Sequence, residues 1–307
     1  MENLVYDLII IGGGPAGLTA GIYARRSRLN TLLIEKLIPG GQILTTDWVD
    51  NYPGFPEGLS GFDLVDNMRR QAERFELSII NDECLSLSID GSDKIIRGHQ
   101  RVYRTKALIV ASGATHKKLG APGEERLGGK GVSYCATCDG PFFRDQEIAV
   151  VGGGDTAVQE ALYLTRFAKK IYLIHRRDQL RATRILQEKA LSDPAIHPIW
   201  NAVVEAITGT DQVEAIKVMK VDGSPGETIP LQGVFILVGI QPNTEWLKGT
   251  LPMDPQGFIL TNSEMETSLP GIFAAGDCRQ KEFRQVSTAV GDGATAVFST
   301  ERYLGTL

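Results

Sequence analysis

Cys135 and Cys138 stand three positions apart in the stretch YCATCDG (134–140), and Asp139 follows the second cysteine directly. Such a pair serves a metal site, a structural disulfide or a dithiol that exchanges electrons. A zinc site needs four ligands, usually a second C-x-x-C or a spaced histidine pair. Neither occurs, because Cys84 and Cys278 stand alone and His99, His116, His175 and His197 are scattered. No metal site is expected. A structural cross-link over so short a loop removes little chain entropy, and a reducing cytosol opposes it. Redox exchange remains: one thiolate attacks a partner disulfide and the other resolves the mixed disulfide. Asp139 either moves protons for these thiols or caps the next segment, and the chemical role is preferred.

The elements that would feed electrons to the dithiol begin at the N-terminus. Val5–Ile11 is a nearly continuous apolar run, as in a parallel strand buried on both faces. Gly12-Gly13-Gly14-Pro15-Ala16-Gly17 follows, then a helical stretch over 18–28 and a second buried strand, Thr31–Glu35, ending in an acid. This is a βαβ unit with G-x-G-x-x-G and a carboxylate about 20 residues on, the pattern of a dinucleotide site. Gly12 allows the tight turn, Gly14 the approach of a pyrophosphate, and Gly17 the packing of helix on strand. Free N–H groups at the helix start hold phosphate charge, and Glu35 faces ribose hydroxyls.

The unit recurs. Glu147–Val151 is a strand, Gly152-Gly153-Gly154-Asp155-Thr156-Ala157 a second fingerprint, and a helix through about Phe167 leads to a strand over 170–175. Gly12 to Glu35 and Gly152 to His175 are both 23 residues, and the two copies are offset by 140. This is an internal duplication of a nucleotide-binding module. The second copy ends in His175-Arg176-Arg177, with Arg181 four residues on. Guanidinium groups there bind a 2′-phosphate that a carboxylate would repel, so the first site is expected to hold a nucleotide with a free ribose and the second NADPH. The bland reading of HRRDQLR is a solvated basic patch.

Strands over 107–111 and 234–238 are expected at the exits of the two modules, and another over 272–277 has no partner in its own part of the chain. The economical arrangement is an α/β protein of two Rossmann-like dinucleotide-binding domains (three-layer ββα type), the second inserted in the first. The expected segments are 1–115, 116–244 and 245–307. Residues 90–100 are expected to form hairpins of a small antiparallel insertion. Cys84 and Cys278 are expected to be ordinary small buried residues.

Bulk properties set the outer limits. A chain of 307 residues, 42% hydrophobic and 22% charged, accommodates two globular domains. A net charge of −5 without a long basic run argues against a nucleic-acid surface. Four cysteines make no secreted disulfide framework. The N-terminal apolar run is a strand rather than a leader, and no stretch approaches the roughly 18 apolar residues of a membrane span. A cytoplasmic protein is expected.

NADPH gives a hydride, a two-electron donor, and a disulfide takes two electrons and protons. A flavin links them, so the first site is assigned to FAD. The segments GGGPAG (12–17), GGQ (40–42), NYPG (51–54), CATCDG (135–140), GGGDTA (152–157), HRRDQLRA (175–182) and AAGDCRQKEFRQVSTAVGDG (274–293) together resemble the bacterial-type low-molecular-weight thioredoxin reductases. The resemblance covers essentially the whole chain. It implies that FAD is held by Gly12, Gly14, Pro15, Ala16, Gly17 and Glu35, and further along by Gly41, Gln42, Asn51, Asp277, Arg284, Gln285 and Val286. NADPH would be held by Gly152, Gly154, Asp155, Thr156, Ala157, His175, Arg176, Arg177 and Arg181. It implies that Cys138 faces the flavin, Cys135 attacks the protein substrate and Asp139 is the acid/base. Members of the family are homodimers that reduce thioredoxin.

Two departures stand out: Ser112 where threonine is common, and Cys278 where an aliphatic residue is commoner. Nicotinamide and disulfide share one domain and must reach the same flavin; if they compete for one face of it, that domain is expected to rotate about the crossings near 115 and 245. A flavin dithiol oxidase would have no use for Arg176, Arg177 and Arg181, and a non-catalytic nucleotide sensor no use for Asp139. A glutaredoxin-like protein or a peroxidase partner are the alternative acceptors.

Overall fold

The computed structural model describes residues 5–46 and 48–307. In chain order the elements are β1 (Val5–Ile11), α1 (Pro15–Arg26), β2 (Thr31–Glu35), α2 (Gly61–Arg74), β3 (Ser78–Asn81), β4 (Cys84–Asp90), β5 (Asp93–Gly98), β6 (Val102–Val110) and β7 (Ala114–His116). There follow β8 (Val132–Ser133), α3 (Ala136–Asp139), β9 (Glu147–Val151), α4 (Asp155–Leu164), β10 (Lys170–Ile174), α5 (Arg184–Ser192) and β11 (Ile196–Ile199). The last are β12 (Ala202–Thr208), β13 (Ala215–Lys220), β14 (Pro225–Pro230), β15 (Gly233–Ile236), β16 (Ile240–Pro242), β17 (Ile272–Ala274) and α6 (Val286–Leu304). The chain divides into two compact units, one of Met1–Thr115 with Gln241–Leu307 and one of His116–Ile240.

In the first unit a seven-stranded sheet runs β3-β2-β1-β6-β5-β4, and β17 also pairs with β6. β6 is long enough to be shared on one edge. Its first half pairs antiparallel with β5 (Ile96↔Tyr103) and its end parallel with β17 (Phe273↔Ile109). Strand alternation sends successive side chains to opposite faces, and two cores result. Leu8, Ile10, Leu33, Ile109 and Phe273 pack under the helices with Leu18, Leu64 and Val297. Ile9, Ile11, Ile34, Leu108 and Val110 pack on the other face with Leu87, Ile96, Leu247 and Ile259.

The second unit repeats the plan in smaller form. Its parallel sheet runs β11-β10-β9-β15-β8, and β12-β13-β14 form a separate antiparallel meander. Ile148, Val150, Leu173 and Phe235 face the helices, while Ala149, Val151, Val234 and Ile236 face the meander residues Ile207, Ile216 and Ile229. Helices, parallel sheet and meander make three layers, the two-fold Rossmann-like architecture expected.

The structure corrects several boundaries. α1 begins at Pro15, three residues earlier than 18, because proline at the first helical position loses no needed N–H and has its φ preset. The strand expected over 272–277 stops at Ala274, since Gly276 takes φ +76° and opens a 3-10 turn, Gly276–Cys278. Residues 90–100 are not a separate insertion: β4 and β5 form a hairpin turning at Gly91 (φ +62°), and β5 continues the main sheet beside β6. Cys278 is fully buried as expected, whereas Cys84 is only partly so. Among the described residues no helix is long and apolar enough to cross a membrane.

Candidate active site: two nucleotide cradles and a dithiol

The first fingerprint turns between β1 and α1. Gly12 has φ +106°, and a Cβ on it would lie 2.3 Å from the Ala111 carbonyl oxygen. A Cβ on Gly17 would lie 1.8 Å from the Gly12 carbonyl oxygen, so helix and turn touch through bare backbone. Gly14 differs: its Cβ would meet nothing nearer than Gly41 Cα at 3.9 Å, leaving open space before the helix start. Such space beside free N–H groups suits a pyrophosphate. Glu35 closes the far end of β2. Its carboxylate accepts the Gly13 N–H at 2.6 Å and the Leu37 N–H at 2.9 Å. Gly13, a position that the G-x-G-x-x-G pattern leaves open, is therefore what fixes the acid. The Gly40 N–H donates to the Gly13 carbonyl at 2.7 Å and brings Gly41 and Gln42 alongside the turn.

The same cradle receives residues from the far end of the chain. A Cβ on Gly293 of α6 would sit 2.3 Å from the Ala16 carbonyl oxygen, and one on Gly276 would sit 2.9 Å from Ala16 Cβ. This close approach sets Asp277 and the start of α6 near the N-terminus of α1. Asn51 Nδ2 donates to Gln285 Oε1 at 3.1 Å, joining two of the FAD candidates. Gln285 caps α6, with Val286 its first residue. Asp292 was not singled out from the sequence. Its Oδ2 accepts from the Gly276 N–H (3.0 Å), Arg279 Nε (3.1 Å) and Lys281 Nζ (2.9 Å), which pins the Asp277 turn from behind.

Among the described residues of this unit, Ser112 Oγ, Asp277 Oδ1 and Arg284 Nε are buried without a hydrogen bond, although Lys281 Nζ stands 3.9 Å from Asp277 Oδ1. Burial pushes the Asp277 carboxyl up, against the pull of Lys281 and Arg284. The Arg284 guanidinium lies 4.3 Å from the Phe258 ring centroid, and burial lowers its pKa. Unmatched buried polar groups are costly. Donors, an acceptor and a glycine turn with room at Gly14 fit a polar, phosphate-bearing cofactor such as FAD.

The second fingerprint has the same parts. Gly152 takes φ +156°, and a Cβ on Gly154 would meet only Arg181 Nη2, at 4.0 Å. The Arg181 N–H donates to the Gly153 carbonyl at 2.7 Å, which folds the basic loop back over the turn. Asp155 Oδ1 accepts the Thr183 N–H at 2.8 Å. His175 is buried against Gly153, where a Cβ would lie 2.3 Å from its Nδ1, and its Nε2 has no partner. Burial and then the nearby Arg181 and Arg177 charges lower its pKa, which favours the uncharged ring. Arg176, Arg177 and Arg181 are exposed, and among the described residues none pairs with a carboxylate. Arg181 beside the open turn and two unneutralised arginines fit the phosphates of NADPH. Thr156 is exposed and Ala157 buried on the first turn of α4.

The dithiol lies in the second unit. Cys135 and Cys138 are joined as a disulfide with Cα atoms 5.3 Å apart, within the usual range for such bonds. Cys135 is the N-cap of α3, and its Sγ accepts the Cys138 N–H at 3.2 Å. The Thr137 hydroxyl lies 3.4 Å from the same sulfur. Ser133 Oγ donates to Asp139 Oδ2 at 2.5 Å and accepts the Cys135 N–H at 3.1 Å. Asp139 is thus held by a serine that also touches the cysteine backbone. Tyr134 donates to Glu124 Oε1 at 2.8 Å and stacks on His116 at 5.2 Å. Glu160, in the middle of α4, accepts the Ala136 N–H at 3.0 Å. Ser133 and Glu160 carry no signal in the sequence beyond their nearness to motifs.

The pyridine nucleotide-disulphide oxidoreductase family matches residues 6–293. A thioredoxin reductase of Listeria innocua is 48% identical over 306 residues, covering 99% of this chain and 95% of that protein. One of Bacillus subtilis is 45% identical over 306 residues, covering 99% and 96%. The crystal structure of thioredoxin reductase from Streptococcus pyogenes superposes with a TM-score of 0.96 at 45% identity, covering 100% of each chain.

Proposed function

The chain belongs to the pyridine nucleotide-disulphide oxidoreductase family, and on that premise we propose that it passes electrons from NADPH through FAD and the Cys135/Cys138 disulfide to oxidised thioredoxin. The observation that carries the reading is the disulfide itself, placed in the same unit as the arginine-flanked fingerprint and 14 residues ahead of Gly152. The identity of that unit as the NADPH domain, and of the other as the FAD domain, is part of the proposal.

Bound FAD would supply a carrier that takes a hydride and gives up two electrons. The residues of the chain do the rest. Gly12 makes the turn, Gly14 would present open backbone to the pyrophosphate at the helix start formed by Pro15, Ala16 and Gly17, and Glu35 would face the ribose. Gly41, Gln42, Asn51, Asp277, Arg284, Gln285 and Val286 would complete the site, with Asp277 Oδ1 and Arg284 Nε free to make the hydrogen bonds they do not make within the chain. Gly152, Gly154, Asp155, Thr156 and Ala157 cradle the NADPH pyrophosphate, while Arg176, Arg177 and Arg181 hold the 2′-phosphate beside His175. Two electrons and two protons convert the disulfide to Cys135 and Cys138 thiols. Cys135 as thiolate then attacks the thioredoxin disulfide, and Cys138 displaces the reduced thioredoxin and restores the internal bond. Asp139, fixed by Ser133, exchanges the proton that each thiol gains or loses. The enzyme is read as a cytoplasmic homodimer.

Anaerobic NADPH oxidation, followed with and without oxidised thioredoxin, tests the reading. Turnover that requires both thioredoxin and Cys135 supports it. Reduction of bound flavin by NADPH without thioredoxin-dependent turnover would refute the acceptor and leave the cofactors.

A further inference from the structure

The Ala136 N–H lies inside the dithiol segment, and its acceptor comes from a different element, Glu160 of α4 at 3.0 Å. Ala136 is fully buried among Ala157, Val158 and Ala161, so the segment is clamped on α4 by packing as well. The next two residues of the segment carry the groups that face Cys135: the Thr137 hydroxyl at 3.4 Å and the Cys138 N–H at 3.2 Å from its sulfur. Donors aimed at a sulfur favour its thiolate over its thiol. α3 is a single turn of four residues, too short to hold its own shape without outside contacts.

We propose that Glu160 is a positioning residue for the dithiol: by holding the Ala136 N–H it keeps the Thr137 hydroxyl and the Cys138 N–H aimed at Cys135 Sγ, and so sets the reactivity of the attacking thiol. α4 begins at the second fingerprint, with Asp155. One helix therefore fixes both the nucleotide turn at its start and the dithiol segment further along. The Glu160 carboxyl is itself raised by burial, with the Ala136 N–H offsetting part of the rise. This deepens the redox reading of the dithiol and relies on it for its meaning, though not for its test.

Glu160→Gln keeps an acceptor and removes the charge, whereas Glu160→Met keeps the length and has no acceptor. Comparing the two isolates the hydrogen bond from the charge. The holoenzyme is opened with dithiothreitol, which is oxidised as the disulfide becomes two thiols, and alkylation of Cys135 by iodoacetamide is followed by mass spectrometry from pH 5 to 10. The Met variant should show a higher Cys135 pKa than the Gln variant and an alkylation rate at neutral pH about fivefold lower, the scale of one weakened hydrogen bond to a charged group. Superimposable profiles for Met and Gln would overturn the proposal, as would equal slowing of both relative to the native enzyme. If Glu160→Met does not fold, Glu160→Ala takes its place in the same comparison. Because the reductant is dithiothreitol, the result stands whether or not NADPH and thioredoxin are the physiological couple.

Discussion

Alanine at Gly14 and alanine at Gly17 should damage this protein in opposite ways, although the two glycines are three residues apart. At Gly14 the backbone (φ −75°, ψ −176°) is open to any residue, and the added methyl would meet only Gly41 Cα at 3.9 Å. Losing glycine at a helix N-cap costs under about 1 kcal/mol, and the stiffer unfolded chain offsets roughly 0.4–1 kcal/mol of that. The apoprotein should therefore melt almost as the native one does. At Gly17 the methyl would lie 1.8 Å from the Gly12 carbonyl oxygen, and Gly12 cannot retreat because the Ala111 carbonyl stands 2.3 Å from its own Cβ direction. Separation of α1 from β1 by more than a bond's width follows, an overpacking cost of about 1–3 kcal/mol or more. FAD should respond the other way round. A methyl at Gly14 fills the space a pyrophosphate needs and forfeits at least one charge-assisted backbone contact, about 1.5–3 kcal/mol, so affinity should fall at least about tenfold. Urea melting of the apoproteins and FAD titration by flavin fluorescence separate the two effects. Native FAD affinity in Gly14→Ala, or an apoprotein as destabilised as Gly17→Ala, would refute the reasoning.

Three further outcomes are expected. Cys135→Ser and Cys138→Ser should each abolish thioredoxin-dependent NADPH oxidation while NADPH still bleaches the flavin in stopped flow. Arg177→Ala should raise the KM for NADPH about tenfold, the loss of one exposed charge-assisted contact of about 1.4 kcal/mol, with the KM for NADH unchanged; steady-state kinetics with both nucleotides reads this. Asp82 is buried, yet the Tyr103 hydroxyl at 2.6 Å and the Glu83 and Gln100 N–H groups outweigh that burial and hold its carboxyl below the ordinary aspartate value. Its contribution is complete above the unfolded value of about 3.9 and is lost as pH falls through the lower folded value. Urea melts of Asp82→Asn should therefore show a deficit at pH 7 that shrinks below about pH 4; a deficit independent of pH would count against the ionised bond.

What was legible in the sequence is what local chemistry dictates. The fingerprint at 12–17 demands its turn because Gly12 and Gly17 leave no room for a side chain, and in the second copy Gly152 repeats the demand while Ala157 carries a methyl at the third position. The buried parallel strands show as apolar runs because both faces are covered. The ends of elements were less legible: Pro15 starts a helix that apolar periodicity alone places later, and the turn at Gly276 cuts short a strand that the run IFAAGD extends by pattern. Contacts between distant positions left no local trace. Nothing near Glu160 signals that its carboxylate meets Ala136, nor near Asp292 that it fastens the turn before Asp277, because each bond depends on how helices pack. The hairpin of β4 and β5 was visible as a hairpin, while its membership of the main sheet rests on pairing with β6.

The shared edge of β6 also orders events in time. β17 and α6 complete the sheet and cover α1, but they are encoded after roughly 160 residues that separate the end of β6 from Ile272. At typical elongation rates that interval is on the order of 10–30 s. During it the whole of the second unit has emerged from the ribosome and has every strand it needs, while the first unit still shows the half-edge of β6 at Leu108–Val110 and the α1 surface that Gly293 will meet. The nascent first unit must wait, part-built, for its last 36 residues. A chaperone binding that uncovered edge, or a stop codon before Ile272, would act on the first unit alone.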